Sequence, residues 1–333
     1  MPEISAAESV GGGSGVDKPI IEKLQAMKVS DGNTSTSSNT NTLSICANCG
    51  KEGSDSDMNI CNKCKSVKYC NAACKKKHRS KHKKKCDRRV LELNDEKLFK
   101  QPPPPMGDCP ICFHLLPILN TGRGYYSCCG KTICSGCIHA VALRDDEEKC
   151  PFCRTPAPDD EENIQRLKKR VELDDYVAVY GLGSYYAEGL YGFHQNYAKA
   201  LELWHRAAEM GNIESYHNIG YSYLHGEGVQ EDMNKARHYW ELAAMGGHVG
   251  SRFNLGLLEE KAGNMERALK HYMIAARGGE SNSLKATQAL FKDGQATKDD
   301  YTKALQLYQA YLDEVKSDQR EKAVAFDKLF EYY

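Results

Sequence analysis

Small and large apolar residues recur in a fixed order along the second half of the chain. Lys199-Ala200 is followed by Trp204 and Ala207-Ala208, Lys235-Ala236 by Trp240 and Ala243-Ala244, and Arg267-Ala268 by Tyr272 and Ala275-Ala276. Lys303-Ala304 with Tyr308 begins a fourth copy in which Tyr311 and Leu312 replace the Ala pair. Offsets of 0, 4, 7 and 8 lie on one helical face, so each copy predicts a helix that packs closely around one aromatic ring. Ahead of the first three copies stand Ala178-x3-Leu182-Gly183, Ser215-x3-Ile219-Gly220 and Ser251-x3-Leu255-Gly256, each predicting a partner helix. Gly-containing loops such as His225–Val229 join the pairs, and the Trp204-to-Trp240 spacing sets a period of about 36 residues. The pattern predicts an all-α helix-pair solenoid over 164–330, with the fourth copy as a degenerate cap.

The first half shows no such period. Residues 1–44 are rich in Gly, Ser, Thr and Asn, with one short amphipathic patch at Ile20–Met27, and predict a disordered tail. Residues 45–87 and 107–156 are dense in cysteine, and 88–106 between them predict a charged linker ending in the stiff run Pro102–Pro105. Neither cysteine-rich segment is long enough to fold on its own hydrophobic core, so each requires another source of folding energy.

Composition identifies that source. The chain has 333 residues, no net charge and 15 cysteines. The last cysteine is Cys153, and the odd count argues for metal and against disulfides. Nothing in the sequence reads as a signal peptide or a membrane span, so a reducing cytoplasmic or nuclear setting is expected. Local charge is less even: Lys75 to Arg89 holds ten Lys or Arg against the single acid Asp87. The run reads as a solvated helix face or a nuclear-localisation patch. With little aromatic interleaving, it does not read as a specific nucleic-acid surface.

The first segment offers Cys46-x2-Cys49, Cys61-x2-Cys64, Cys70-x3-Cys74 and His82-x3-Cys86. A Cys-x2-Cys turn aims two thiolates at one ion, and the x3 spacings place both side chains one helical turn apart. His78 competes with His82, but its spacing to Cys86 is longer than the pattern. Eight ligands make two closed tetrahedral sites, which are structural because no position is left for water. The arrangement resembles the MYND zinc finger, a family that also binds peptides. The resemblance implies one zinc on Cys46, Cys49, Cys70 and Cys74 and another on Cys61, Cys64, His82 and Cys86.

The second segment offers Cys109-x2-Cys112, the adjacent pair Cys128-Cys129, Cys134-x2-Cys137 and Cys150-x2-Cys153. His114 and His139 fall off the pattern and are expected at the surface. This segment resembles an all-cysteine RING finger. The resemblance implies one zinc on Cys109, Cys112, Cys134 and Cys137 and one on Cys128, Cys129, Cys150 and Cys153. Two adjacent ligands on one ion require a strained local turn. Most RING fingers are ubiquitin ligases, and Ile111 and Pro151 match that family's apolar contacts to a ubiquitin-conjugating enzyme. Arg154 matches its cationic linchpin.

The repeats resemble Sel1-like repeats, relatives of the tetratricopeptide repeat, which bind proteins or peptides. The expected whole is multidomain: two zinc-stabilised cross-brace modules followed by an all-α solenoid, with about four zinc ions. The expected function is RING-type ubiquitin ligation, with the solenoid recruiting substrates; the alternative is a non-enzymatic zinc-binding adaptor. Seven cysteines in one module and eight in the other use all 15, so no catalytic cysteine is expected and any transfer works by positioning.

Overall fold

The computed structural model describes residues 43–100, 107–118, 122–144 and 149–331. The tail at 1–42 with its amphipathic patch, the proline run and the acidic stretch 145–148 lie outside them. The described chain divides into two compact units, one comprising 43–60 with Val67–His78 and the other Cys61–Ser66 with 79–331.

The first unit is built from two short hairpins. Strands β1 (Leu43–Ile45) and β2 (Glu52–Ser54) pair antiparallel, as do β3 (Asn59–Ile60) and β4 (Lys68–Tyr69). The start of helix α1 (Ala72–Leu98) follows. Two-stranded ribbons are too small to be stable alone. Tyr69 is nearly fully buried and donor-to-acceptor paired with His78 Nδ1 at 3.2 Å, which accounts for the histidine that competes with His82.

In the second unit, strands β5 (Arg123–Tyr126) and β6 (Lys131–Cys134) form a hairpin that leads into helix α2 (Ser135–Ala142). Ten α-helices come next among the described residues. Helix α3 (Asp160–Glu172) starts four residues before Ile164, because the Asp159 side chain accepts from the Glu162 amide as an N-cap. Paired helices α4 (Tyr176–Glu188) and α5 (Tyr197–Glu209), α6 (Ile213–His225) and α7 (Met233–Met245), and α8 (Val249–Lys261) and α9 (Met265–Arg277) realise the three full repeats. Helix α10 (Ser281–Lys292) and the longer α11 (Lys298–Val315) form the fourth, and α12 (Asp318–Phe326) turns back.

Within each pair, the glycine of the first helix admits the aromatic ring of the second. A Cβ at Gly183 or Gly220 would meet the Trp204 or Trp240 indole at 2.8 or 2.6 Å, and one at Gly256 would meet Tyr272 at 2.3 Å. The Ala pairs of α5, α7 and α9 are fully or nearly fully buried, as a small–large–small face requires.

The core also holds polar residues that periodicity does not reveal. His217 in α6 is held neutral to about 3 by burial and by the neighbouring His248. His271 in α9 is held at about 3 by burial and by the charges of Arg252 and Arg267. An unfolded chain protonates histidine near 6.5, so below that pH the folded state binds fewer protons. The stability carried by these neutral rings is therefore complete above 6.5 and is lost as pH falls toward 3. The loss is roughly 1.4 kcal/mol per pH unit for each ring. His271→Leu is expected to give a shallower fall in thermal midpoint between pH 7 and 5.5 than the native chain. An unchanged slope would remove His271 from this account.

Candidate metal centres

Four of the five Cys-x2-Cys segments share one local design. The amides of Gly50, Lys65, Phe113 and Arg154 donate back to the carbonyls of Cys46, Cys61, Cys109 and Cys150 at 2.9 to 3.0 Å. All four donors have positive φ, at 74°, 54°, 59° and 63°. Three of the four are not glycine, so the turn accepts left-handed strain that ordinary folding would avoid. Ligand spacing alone does not disclose this fifth position.

The other ligands come from elements with their own geometry. Asn71 Oδ1 caps the amide of Cys74 at 2.9 Å as α1 begins. His82 and Cys86 share one face of α1, and both are buried. Cys134 ends β6 and Cys137 lies in the first turn of α2. The adjacent pair Cys128-Cys129 occupies a tight turn in which the Cys129 and Gly130 amides both donate to Tyr126 O, with Gly130 at φ 67°. The expected local strain is thereby placed on a glycine.

These elements bring the ligand atoms together in four groups: Cys46, Cys49, Cys70 and Cys74; Cys61, Cys64, His82 and Cys86; Cys109, Cys112, Cys134 and Cys137; and Cys128, Cys129, Cys150 and Cys153. Within each, all ligand atoms lie within 4.8 Å of one another. His82 joins its group through Nε2, 3.3 Å from Cys64 Sγ, while His78 does not.

The sulfur separations test the fit to zinc. Cys49–Cys70 and Cys70–Cys74 are 3.6 Å apart, Cys61–Cys86 and Cys112–Cys134 3.7 Å, and Cys129–Cys150 3.8 Å. A disulfide needs about 2.05 Å. Zn–S bonds of about 2.3 Å in a tetrahedron give S–S edges of about 3.8 Å. The donor sets of four thiolates, or three thiolates and one imidazole, suit zinc as well. In both modules the pairs alternate, first with third and second with fourth, which is the cross-brace. All 15 cysteines fall within these groups.

The second module is joined to the helices by a dense polar seam. Arg170 of α3 donates to the carbonyls of Ser127 and Cys128 at 3.1 and 3.0 Å, so it braces the tight turn of the fourth group. Tyr125 donates to Asp175 at 2.7 Å and Ser127 to Asn163 at 2.8 Å. Arg123 donates to Pro117 O at 2.8 Å and reaches Glu214 of α6 at 3.4 Å. Burial would raise the Glu214 carboxyl, but the His248 hydrogen bond and the charges of His248 and Arg123 hold it at about 2. Arg320 of α12 is fully buried and donates to Leu115 O at 2.8 Å and Val315 O at 2.6 Å. At Gly136 of α2 a Cβ would meet the Arg320 amide nitrogen at 2.8 Å, so only glycine admits α12 there.

Two expectations need correction. His139 is buried, not exposed, because its ring packs against Phe326 and Phe330 at 5.1 and 5.9 Å. Residues 88–98 are helix, not linker: they continue α1 and end at a buried Leu98. His114 is exposed as expected; Ile111 and Arg154 are exposed, and Pro151 is half-buried.

Among the described residues no helix is long and apolar enough to cross a membrane. The MYND finger family matches residues 46–86, and the Sel1 repeat family matches 177–212, 213–248, 250–280 and 289–310. The second cysteine module lies outside these ranges. The chain is 32% identical over 126 residues to the ERAD-associated E3 ubiquitin-protein ligase component HRD3B of Arabidopsis thaliana, covering 38% of this chain and 20% of that protein. It is 41% identical over 51 residues to the E3 ubiquitin-protein ligase DA2 of the same plant, covering 15% and 12%. It is also 36% identical over 87 residues to cytochrome c oxidase assembly factor 7 of Mus musculus, covering 24% and 38%. It thus spans well under half the length of each. Among solved structures, the Sel1 repeat protein from Oxalobacter formigenes aligns with 48% of this chain and 66% of its own, at 28% identity and a TM-score of 0.42. The chain carries a MYND finger at 46–86 and a solenoid of Sel1 repeats.

Proposed function

We propose that residues 107–156 form a RING-type finger and that the chain is an E3 ubiquitin ligase whose solenoid, with the MYND finger, recruits protein substrates. All 16 residues of the four groups are assigned as zinc ligands, one ion to each group. Zinc supplies folding energy here and no reaction chemistry, since each set of four ligands closes its site.

The observation that carries this reading is the placement of three side chains on the turns around Cys109 and Cys150. Ile111 is 36% exposed, Pro151 is partly so, and Arg154 is exposed with its backbone fixed by the bond to Cys150 O. Ile111 and Pro151 offer apolar surface to a ubiquitin-conjugating enzyme. The Arg154 guanidinium can donate to that enzyme and to its bound ubiquitin together. With every cysteine engaged, no thiol remains to carry ubiquitin as a thioester. The ligase therefore works by holding the charged enzyme in a reactive geometry for a substrate lysine. The names of the plant relatives support the same setting.

The test is chain building by the purified protein with ubiquitin, activating enzyme, ATP and a panel of conjugating enzymes. Ile111→Ala and Arg154→Ala are each expected to slow it roughly tenfold, equal to ~1.4 kcal/mol of transition-state positioning, with zinc content unchanged. Native chain building in both variants would refute the mechanism. A second reading is a non-enzymatic adaptor, favoured by the name of the HRD3B relative, a component of a ligase. No chain building with any conjugating enzyme would select it.

A further inference from the structure

The last turn of α1 is seated on the solenoid. Leu98 is 2% exposed and packs with Trp240, Ala244 and Leu255 of α7 and α8. The Phe99 ring meets the His271 ring at 4.8 Å in a tilted contact, and the Arg267 guanidinium lies over the Phe99 ring at 5.2 Å. Asp95, one turn earlier, is ion-paired with Arg267. Leu91, two turns back from Leu98, is 66% exposed, so the helix engages the groove only by its end.

The floor of this groove is unusual for the fold. By repeat position, Arg252 stands where the earlier repeats have Val179 and Tyr216, and His271 stands where they have Leu203 and Tyr239. Arg252 and His271 are each 1% exposed. Among the described residues, none of the three guanidinium nitrogens of Arg252 and neither ring nitrogen of His271 has a hydrogen-bond partner. A buried donor without an acceptor is destabilising, and more so when it is charged. The end of α1 fills the apolar part of the groove and pairs Arg267, but it brings no acceptor to Arg252.

We propose that the groove on α7, α8 and α9 is a docking site for a helical segment of a partner protein, one bearing an acid, a leucine and an aromatic residue in the Asp-x-x-Leu-Phe order. The residues Asp95–Phe99 hold the site in cis. A partner segment with a further carboxylate satisfies Arg252 as well and displaces them. This rests on the reading that the solenoid recruits proteins, but its test needs no ubiquitin chemistry, so the two can fail separately.

The probe is a fluorescein-labelled synthetic peptide of residues 87–100, titrated by anisotropy with the zinc-loaded full chain. Native protein, its groove filled, is expected to bind weakly. Leu98→Ala with Phe99→Ala opens the groove and is expected to raise affinity at least tenfold, and adding Arg267→Glu is expected to remove the gain. Equal affinity of the native and opened chains would overturn the proposal. A second peptide carrying Lys100→Glu is expected to bind the opened chain more tightly than the first, and Arg252→Met to abolish that preference. Equal affinity for the two peptides would overturn the role of Arg252. Zinc content and helical circular dichroism are measured for every variant. If the double variant loses either, Phe99→Ala alone replaces it, since that change frees the His271 and Arg267 contacts of the groove and leaves Leu98 in place.

Discussion

Replacing Cys134 with serine is expected to release one zinc ion, unfold 107–156, and lower the thermal midpoint of the helical repeats as well. The first two effects follow from the ligand group, since structural zinc contributes on the order of 10 kcal/mol to so small a fold. The third follows from the seam. Once the module is lost, Arg170 loses the Ser127 and Cys128 carbonyls, Asp175 loses Tyr125, and the buried Arg320 loses Leu115. At about 1 kcal/mol for each of the four hydrogen bonds, the solenoid gives up about 4 kcal/mol, or roughly 8–16 °C for a unit of this size. Calorimetry with zinc analysis reads all three. A solenoid transition that does not move would show that the module hangs on the repeats as an independent bead.

Gly256→Val is expected to cost about 3 kcal/mol or more. A Cβ at that position falls 2.3 Å from Tyr272 Cε1 and 2.6 Å from Cδ1, and the ring is itself completely buried. It cannot swing away, so α8 and α9 must separate and the face of Ala268, Ala275 and Ala276 loses its contacts. Gly181 in α4 is the control, because a Cβ there meets nothing within 4 Å. Gly181→Ala is expected to stabilise the chain by about 0.5–1 kcal/mol, as alanine does for glycine in an open helical position. Chemical denaturation of the two variants should therefore move the midpoint in opposite directions. The same sign for both would refute the close-approach role of Gly256.

Much of this was legible in the residues because it depends on local spacing. Pairs of ligands two or three residues apart specify a turn or a helix face, and Trp204, Trp240 and Tyr272 mark one face every 36 residues or so. What was not legible depends on partners far along the chain. Residues 88–98 look like a charged linker because their helix is completed by Leu98 against Trp240, which no local pattern announces. Arg320 reads as one more surface charge, yet it meets a carbonyl 205 residues earlier. Arg252 and His271 break the apolar pattern of their repeat, and only the packing shows both to be buried. His139 was expected at the surface for a related reason, since its covering rings come from the C-terminal end.

The claim under the rest is that two cross-braced modules stand in series and together use every cysteine. Zinc stoichiometry of the metal-replete chain, measured by elemental analysis with X-ray absorption at the zinc edge, tests it most directly. Four zinc ions per chain are expected, with a mean coordination shell of fifteen sulfurs to one nitrogen, from the 15 cysteines and His82. A value near two ions, or a shell containing oxygen, would contradict it.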